Sequence, residues 1–308
     1  METIKKGVFL KMPVITNVWS KVVEDNGRFF STAVVESIAE FGFKVNKQEN
    51  GIVLEGNARL NIPEGIVIVK DGLLQEISLS QLAPEVVLIE LKLEHPADFR
   101  VEVLPGIPVR TVISAGRGFL KELFADKKIV IDPGHGGTDH GGRGPVNLLE
   151  KNVVVPIALS LEGLFRQAGA KTTLTRRHDG NITLRQRIYP AKKEKADLFL
   201  SIHTRFCKDC NSGGSVVLYN PFSGQSNILA WWILAELSQV LKITARGIGE
   251  GSELKMLGEI PAVSIEVVTI SNWVEEGLLR SPTIHRKAAQ GIFNGVKNYL
   301  FFGKGEYR

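Results

Sequence analysis

Cysteine is scarce: Cys207 and Cys210, in a Cys-Lys-Asp-Cys pair, are the only two among 308 residues. A structural zinc site built on thiolates needs a second such pair, which is missing, so this one reads as a disulfide or two thiols in a loop, incidental to function. Long apolar runs are lacking as well. None approaches the roughly 20 residues that cross a bilayer, which leads us to expect no transmembrane segment. The start, Met-Glu-Thr-Ile-Lys-Lys, is charged, but the apolar patch behind it, Val8 to Leu10, is cut off by Lys11. That is too short for the core of a secretory signal. Export by another route, a leader already removed, and work inside a cell all stay open. No basic cluster stands out either. The net charge of +5 favours anionic partners, with nucleic acid and an anionic cell envelope as the two classes. Lysine and arginine are scattered along the chain, so a nucleic-acid partner is not expected.

What is present is an ordinary globular composition, 44% hydrophobic and 23% charged, neither disordered nor fibrous. The length suffices for two domains. Up to about residue 125 the texture is mostly that of strands. Phe29 to Phe41 is the exception, with Phe30, Val34, Val35, Ile38 and Phe41 at helical spacing between a capping Ser31 and a terminating Gly42. Ile66 to Val69 and Leu73 to Leu79 flank Asp71-Gly72, which predicts a hairpin with a tight two-residue turn. Val87, Ile89, Leu91 and Leu93 alternate with charged residues, as do Phe99, Val101 and Val103, predicting half-buried strands. His95, alone beside Pro96, reads as a surface turn residue. Ser114 to Lys128, with Gly116 and Gly118, reads as a linker. A β-rich domain over 1–125 and a second domain over 126–308 follow.

From residue 126 the pattern alternates between strand and helix. Ile129 to Ile131, Lys171 to Thr175, Asp197 to Ile202, Gly214 to Tyr219 and Ala262 to Val267 read as strands. Helices are expected over Glu150 to Ala168, from a Thr183 cap to Lys195 with Pro190 kinking or shortening it, over Ser226 to Leu241, and near Trp273 to Leu279 and Pro282 to Leu300. The fold class is therefore α/β: a largely parallel sheet with helices on both faces, preceded by a smaller β-rich domain, with sites at the carboxyl ends of strands.

Three of those strands end on groups able to bind metal or move a proton. Ile129 to Ile131 runs into Asp132-Pro133-Gly134-His135-Gly136-Gly137, where glycines clear space around the imidazole. The strand at 198–202 delivers His203, and Val263-Ser264-Ile265 delivers Glu266. A carboxylate inside so apolar a segment needs a partner, because an unpaired buried charge is costly. Glu150 opens a helix and can reach the same place; its alternative reading is the acidic residue that a first helical turn favours. Two histidines and one glutamate match a catalytic zinc site with a position left for water. The other glutamate would serve as base.

These residues resemble a known family. Asp-Pro-Gly-His-Gly-Gly at 132–137, Leu-Glu-Lys-Asn at 149–152, Leu-Thr-Arg at 174–176, Ser-Ile-His at 201–203 and Ile-Glu-Val-Val-Thr-Ile-Ser-Asn at 265–272 look like the zinc-dependent N-acetylmuramoyl-L-alanine amidases of the type 3 cell-wall hydrolase family, over about 128–300. The resemblance implies His135, Glu150 and His203 as zinc ligands and Glu266 as the catalytic glutamate. It implies peptidoglycan as substrate, cleaved at the amide between N-acetylmuramic acid and L-alanine, in the cell envelope or outside the cell. Thr204-Arg205-Phe206, Val268-Thr269 and Pro190 depart from the family pattern and bear on substrate contacts. No helix fits between Tyr219 and Ser226, so a site blocked by its own insertion is not expected. The N-terminal domain is expected to bind the wall or a protein partner. Two alternatives remain: a peptidoglycan-binding protein that keeps the fold without turnover, and a metallohydrolase of another amide.

Overall fold

The computed structural model describes residues 12–209 and 211–303. Val8 to Leu10 and Cys210, both considered above, lie outside the described residues. The chain forms two compact units divided between Phe119 and Leu120.

The first unit contains β1 (Val14–Asp25), β2 (Arg28–Ser37), β3 (Phe43–Gln48), β4 (Gly51–Gly56), β5 (Arg59–Leu60), β6 (Gly65–Ile68), β7 (Leu74–Ala83), β8 (Val86–Leu93), β9 (Phe99–Leu104) and β10 (Val109–Gly116). They make two five-stranded sheets, β5-β1-β2-β10-β9 and β3-β4-β8-β7-β6. The apolar core joins Ile15, Ala33, Val35 and Ile113 of one sheet to Leu54, Ile77, Ile89 and Leu91 of the other. The alternation along β8 carries over directly, with Val87, Ile89, Leu91 and Leu93 buried.

The helix expected over Phe29 to Phe41 is corrected to β2, paired with β1 on one side and β10 on the other. Its Ala33 and Val35 join the core, while Thr32 and Val34, on the opposite face by alternation, are buried too. A central strand covered on both faces loses its period of two, and its apolar run then imitates a helical stripe.

β6 and β7 pair antiparallel as expected, but through a wider loop than two residues. Asp71 Oδ1 accepts from Leu73 N at 3.0 Å and Leu74 N at 2.8 Å, so the aspartate shapes that loop through its side chain. His95 is half-buried and stacks on Phe119, centroids 3.7 Å apart. Burial pulls its pKa down. The segment expected as a linker is occupied by the end of β10 and by helix α1 (Gly118–Phe124).

The second unit continues with β11 (Lys128–Pro133), α2 (Glu150–Gln167), β12 (Lys171–Leu174), α3 (Leu184–Glu194), β13 (Leu198–Arg205), β14 (Ser215–Tyr219), α4 (Ser226–Leu241), β15 (Ala245–Glu250), a 3-10 turn (Glu253–Leu257), β16 (Ala262–Thr269), α5 (Trp273–Leu279) and α6 (Pro282–Phe302). The six-stranded sheet has the order β12-β11-β13-β16-β14-β15. β12, β11, β13 and β16 run parallel, whereas β14 is antiparallel to β16 and takes β15 with it. The sheet is therefore mixed, with its parallel part at the site.

Phe124, Phe165 and Phe293 pack together with centroids 5.4–5.6 Å apart, tying α1, α2 and α6. A separate cluster joins Val130 and Phe199 of the sheet to Ile188 and Ala191 of α3 and to Leu254 and Leu257. α3 runs on through Pro190. One lost backbone bond is tolerated because Thr183 and Gln186 form a capping box at its start and Ile188 and Ala191 are buried.

Candidate active site

β11 stops at Pro133 and the chain turns immediately. Gly134 N donates to Ile202 O at 2.9 Å, and His135 adopts φ +57°, the left-handed region that a side chain with a β carbon seldom occupies. Two buried arginines hold this turn through its carbonyls. Arg176 Nε donates to Pro133 O at 2.9 Å. Arg187 donates to Pro133 O at 2.7 Å and to His135 O at 2.6 Å. Local strain at His135 is thus held by charge-assisted bonds from α3 and from the loop that follows β12. Gly134 is needed for space: a Cβ there would lie 2.2 Å from His203 Cε1.

His203 lies on β13, and Glu150 is the first residue of α2, only 2% exposed. His135 Nε2 is 3.3 Å from Glu150 Oε1, His203 Nδ1 is 3.1 Å from that same oxygen, and the two ring nitrogens are 3.2 Å apart. The three residues form a group that could hold a metal ion. Glu150 does not cap its helix; its carboxylate points into the site. It accepts from Gly142 N and from Thr204 N, each at 2.7 Å.

Hydrogen bonding outside the group assigns the tautomers. His135 Nδ1 faces Asp139 Oδ2 at 2.8 Å, and an ionised carboxylate can only accept, so Nδ1 carries the proton and Nε2 turns a lone pair inward. On the other ring, Ser201 Oγ donates to Asp132 Oδ2 at 2.9 Å and lies 3.1 Å from His203 Nε2. With the hydroxyl proton committed to Asp132, Nε2–H donates and Nδ1 offers its lone pair. Two imidazole lone pairs and a carboxylate oxygen then converge within about 3 Å, an arrangement that repels itself until a cation enters. The donor set therefore fits a divalent transition metal.

The electrostatics agree. Burial, the largest single influence on Glu150, would raise its pKa, but hydrogen bonds and charge from His135 and His203 outweigh it and hold the carboxyl well below the usual range. Burial likewise works against a proton on His135, yet Glu150 and Asp139 together lift its pKa above the ordinary value. The field that would retain a proton there also favours a metal cation.

Glu266 stands across from His203 in the parallel register of β13 and β16, which sets both side chains on one face of the sheet. Its carboxylate is half-buried and makes no hydrogen bond or ion pair among the described residues. The partner expected for it is absent there, and partial exposure lowers the cost of its charge. Burial raises its pKa; His203 and Arg205 oppose the rise and Glu150 adds to it. Asp139, Ser201, Arg176 and Arg187 support the site, and the sequence alone assigns them no such role. Arg176 and Ser201 stand inside quoted motifs without a role assigned to them, and Asp139 is a carboxylate four residues beyond His135 within the same glycine-rich loop.

Residues 129–298 match the family described as N-acetylmuramoyl-L-alanine amidase. The chain belongs to this family. It is similar to the probable cell wall amidase LytH of Staphylococcus epidermidis, 31% identical over 191 residues, which cover 61% of this chain and 63% of that protein. The chain thus spans less than two thirds of that relative's length. Among solved structures it is similar to the catalytic domain of CwlV, an N-acetylmuramoyl-L-alanine amidase from Bacillus (Paenibacillus) polymyxa var. colistinus. That match has 32% identity and a TM-score of 0.54, covering 57% of this chain and 98% of that one. It is also similar to an N-acetylmuramoyl-L-alanine amidase of Clostridium difficile 630, with 30% identity, a TM-score of 0.55, and 58% and 99% of the two chains covered.

Proposed function

We propose that this family member hydrolyses the amide between the lactyl group of N-acetylmuramic acid and L-alanine of the peptidoglycan stem peptide, with His135, Glu150 and His203 holding zinc and Glu266 as the catalytic glutamate. The observation that carries the proposal is the convergence of three lone pairs from His135, Glu150 and His203, with an unpartnered carboxylate, Glu266, directly across from His203. When bound, zinc supplies the positive charge that polarises the scissile carbonyl and acidifies a water molecule.

The chain's own residues do the rest. Asp139 and Ser201 fix the ring orientations, and Gly142 N and Thr204 N fix the Glu150 carboxylate. Glu266 takes the proton from the attacking water and delivers it to the nitrogen of the departing L-alanine. Its raised pKa suits both halves of that task, since a base that must later act as an acid works best with a pKa nearer the working pH. Work on peptidoglycan places the protein in the envelope or outside the cell, and the N-terminal unit is read as its wall-binding or partner-binding module.

Mass spectrometry of digested peptidoglycan tests this reading. New free L-alanine amino ends, abolished by chelator and by Glu266→Ala, are expected. Cleavage within the peptide would assign another hydrolase. Binding without any cleavage would leave the reading of a non-catalytic wall binder, and undiminished release by Glu266→Ala would remove the assigned base.

A further inference from the structure

The reaction just proposed leaves one charged side chain at the centre without a task. Arg205 follows His203 by two positions on β13, about 6.6 Å further along at a rise of 3.3 Å per residue, and a bulge in the pairing with β16 sets it opposite Thr269, three residues beyond Glu266. Its charge is felt by Glu266 on the neighbouring strand. Among the described residues its guanidinium has no carboxylate within ion-pairing distance, and its hydrogen bond to Ser212 Oγ, at 3.5 Å, is at the limit of the interaction. The residue is half-buried. A guanidinium that is always charged, partly withdrawn from water and unpaired beside a reactive carboxylate is set up to receive an anion from outside the chain.

The chemistry of the substrate says which anion. The lactyl carboxyl is consumed in the scissile amide, and the sugar hydroxyls and acetamido groups are neutral. On the peptide side L-alanine carries no charge of its own. The nearest available carboxylate belongs to the second stem residue, where that residue is a glutamate linked onward through its side chain. Two residue steps of about 3.8 Å put it at most about 8 Å from the bond to be broken, a span comparable with the step of about 6.6 Å from His203 to Arg205.

We propose that Arg205 binds the free α-carboxylate of the second stem-peptide residue while the scissile amide lies between His203 and Glu266, so that the enzyme distinguishes stems with a free carboxylate from stems in which that group is amidated. The inference rests on the proposed amidase reading and adds its substrate preference. It assigns a role to a position where the sequence departs from the family pattern.

The test uses the zinc-loaded full chain carrying Glu266→Ala, titrated calorimetrically with two purified disaccharide peptides that differ only in carboxylate or carboxamide at the second residue. The acid form is expected to bind roughly 10- to 100-fold more tightly, the range for a charge-assisted bond. Adding Arg205→Gln should collapse the preference to within about twofold, and Arg205→Lys should restore part of it, because lysine keeps the charge and loses the fork. A residue that merely braces the loop through Ser212 would weaken both ligands equally and leave their ratio intact. Equal affinities in the parent protein, or a preference that survives Arg205→Gln, would overturn the assignment. Failure of the unsubstituted chain to cleave either peptide while the Arg205-dependent preference stands would instead overturn the hydrolase reading alone.

Discussion

Gly134→Ala perturbs the centre with one methyl group. Its Cβ would sit 2.2 Å from His203 Cε1 and 2.6 Å from both ring nitrogens, whereas ordinary carbon contacts are about 3.5–4.0 Å. Something must yield by about 1.3 Å. The backbone is poorly placed to do so, since Gly134 N is bonded to Ile202 O and Gly134 O accepts from Arg176. The ring therefore gives way, and Nδ1 leaves positions 3.1 Å from Glu150 and 3.2 Å from His135. Metal ligands tolerate only about 0.2 Å. The cost to the fold is that of modest overpacking, about 1–3 kcal/mol, so the variant should fold with a slightly lowered melting temperature. Zinc affinity should fall by about 100-fold or more, beyond the roughly 10- to 100-fold loss typical of disturbing a ligand's outer partner. Zinc content measured by mass spectrometry across a chelator series, beside a thermal melt, reads both effects. A folded Gly134→Ala protein with undiminished zinc affinity would refute the reasoning, because it would mean that the position of the His203 ring does not govern the site.

Further expectations concern the supports of the site. Asp139→Ala should lower zinc affinity by roughly 10- to 100-fold through loss of the acceptor that orients His135, with little change in the thermal melt; an unaltered affinity would remove that role. Glu276, 1% exposed, accepts from Val146 N at 2.7 Å and Leu148 N at 3.0 Å, fixing the loop that leads into Glu150. Glu276→Gln should cost about 2–3 kcal/mol in denaturant unfolding, and an effect below about 0.5 kcal/mol would contradict the assignment. Burial alone would raise the Glu276 pKa, but those backbone donors and Arg280 outweigh it and lower it. Its stabilising contribution is therefore fully present above the unfolded value of about 4.3 and is lost as pH falls through the lower folded value. The Glu276→Gln protein should lack that part of the acid-side decline, as melts between pH 6 and pH 3 would show.

Much of the second unit is legible in the sequence. Apolar runs at 129–131 and 262–267 and the long, largely apolar stretch at 226–241 form β11, β16 and α4, because burial on both faces of a sheet leaves short apolar runs and a buried helix a longer one. β15 escaped notice because Arg246-Gly247-Ile248-Gly249 is an edge strand with neither alternation nor an apolar run. β2 imitates a helix for the opposite reason, too much burial rather than too little. Two of the candidate site residues are legible as oddities: His135 among glycines and Glu266 in an apolar segment. Their supports are not. Arg176 and Arg187 act on backbone carbonyls of a distant loop, and the bond from Ser201 to Asp132 joins adjacent strands; neither leaves a trace in local spacing.

Anomalous diffraction at the zinc edge from crystals of the zinc-loaded protein addresses the whole account at once. One peak is predicted, bonded to His135 Nε2, His203 Nδ1 and a Glu150 carboxylate oxygen, with Glu266 nearby and unbound. A peak ligated by other side chains, or by Glu266 in place of Glu150, would contradict it.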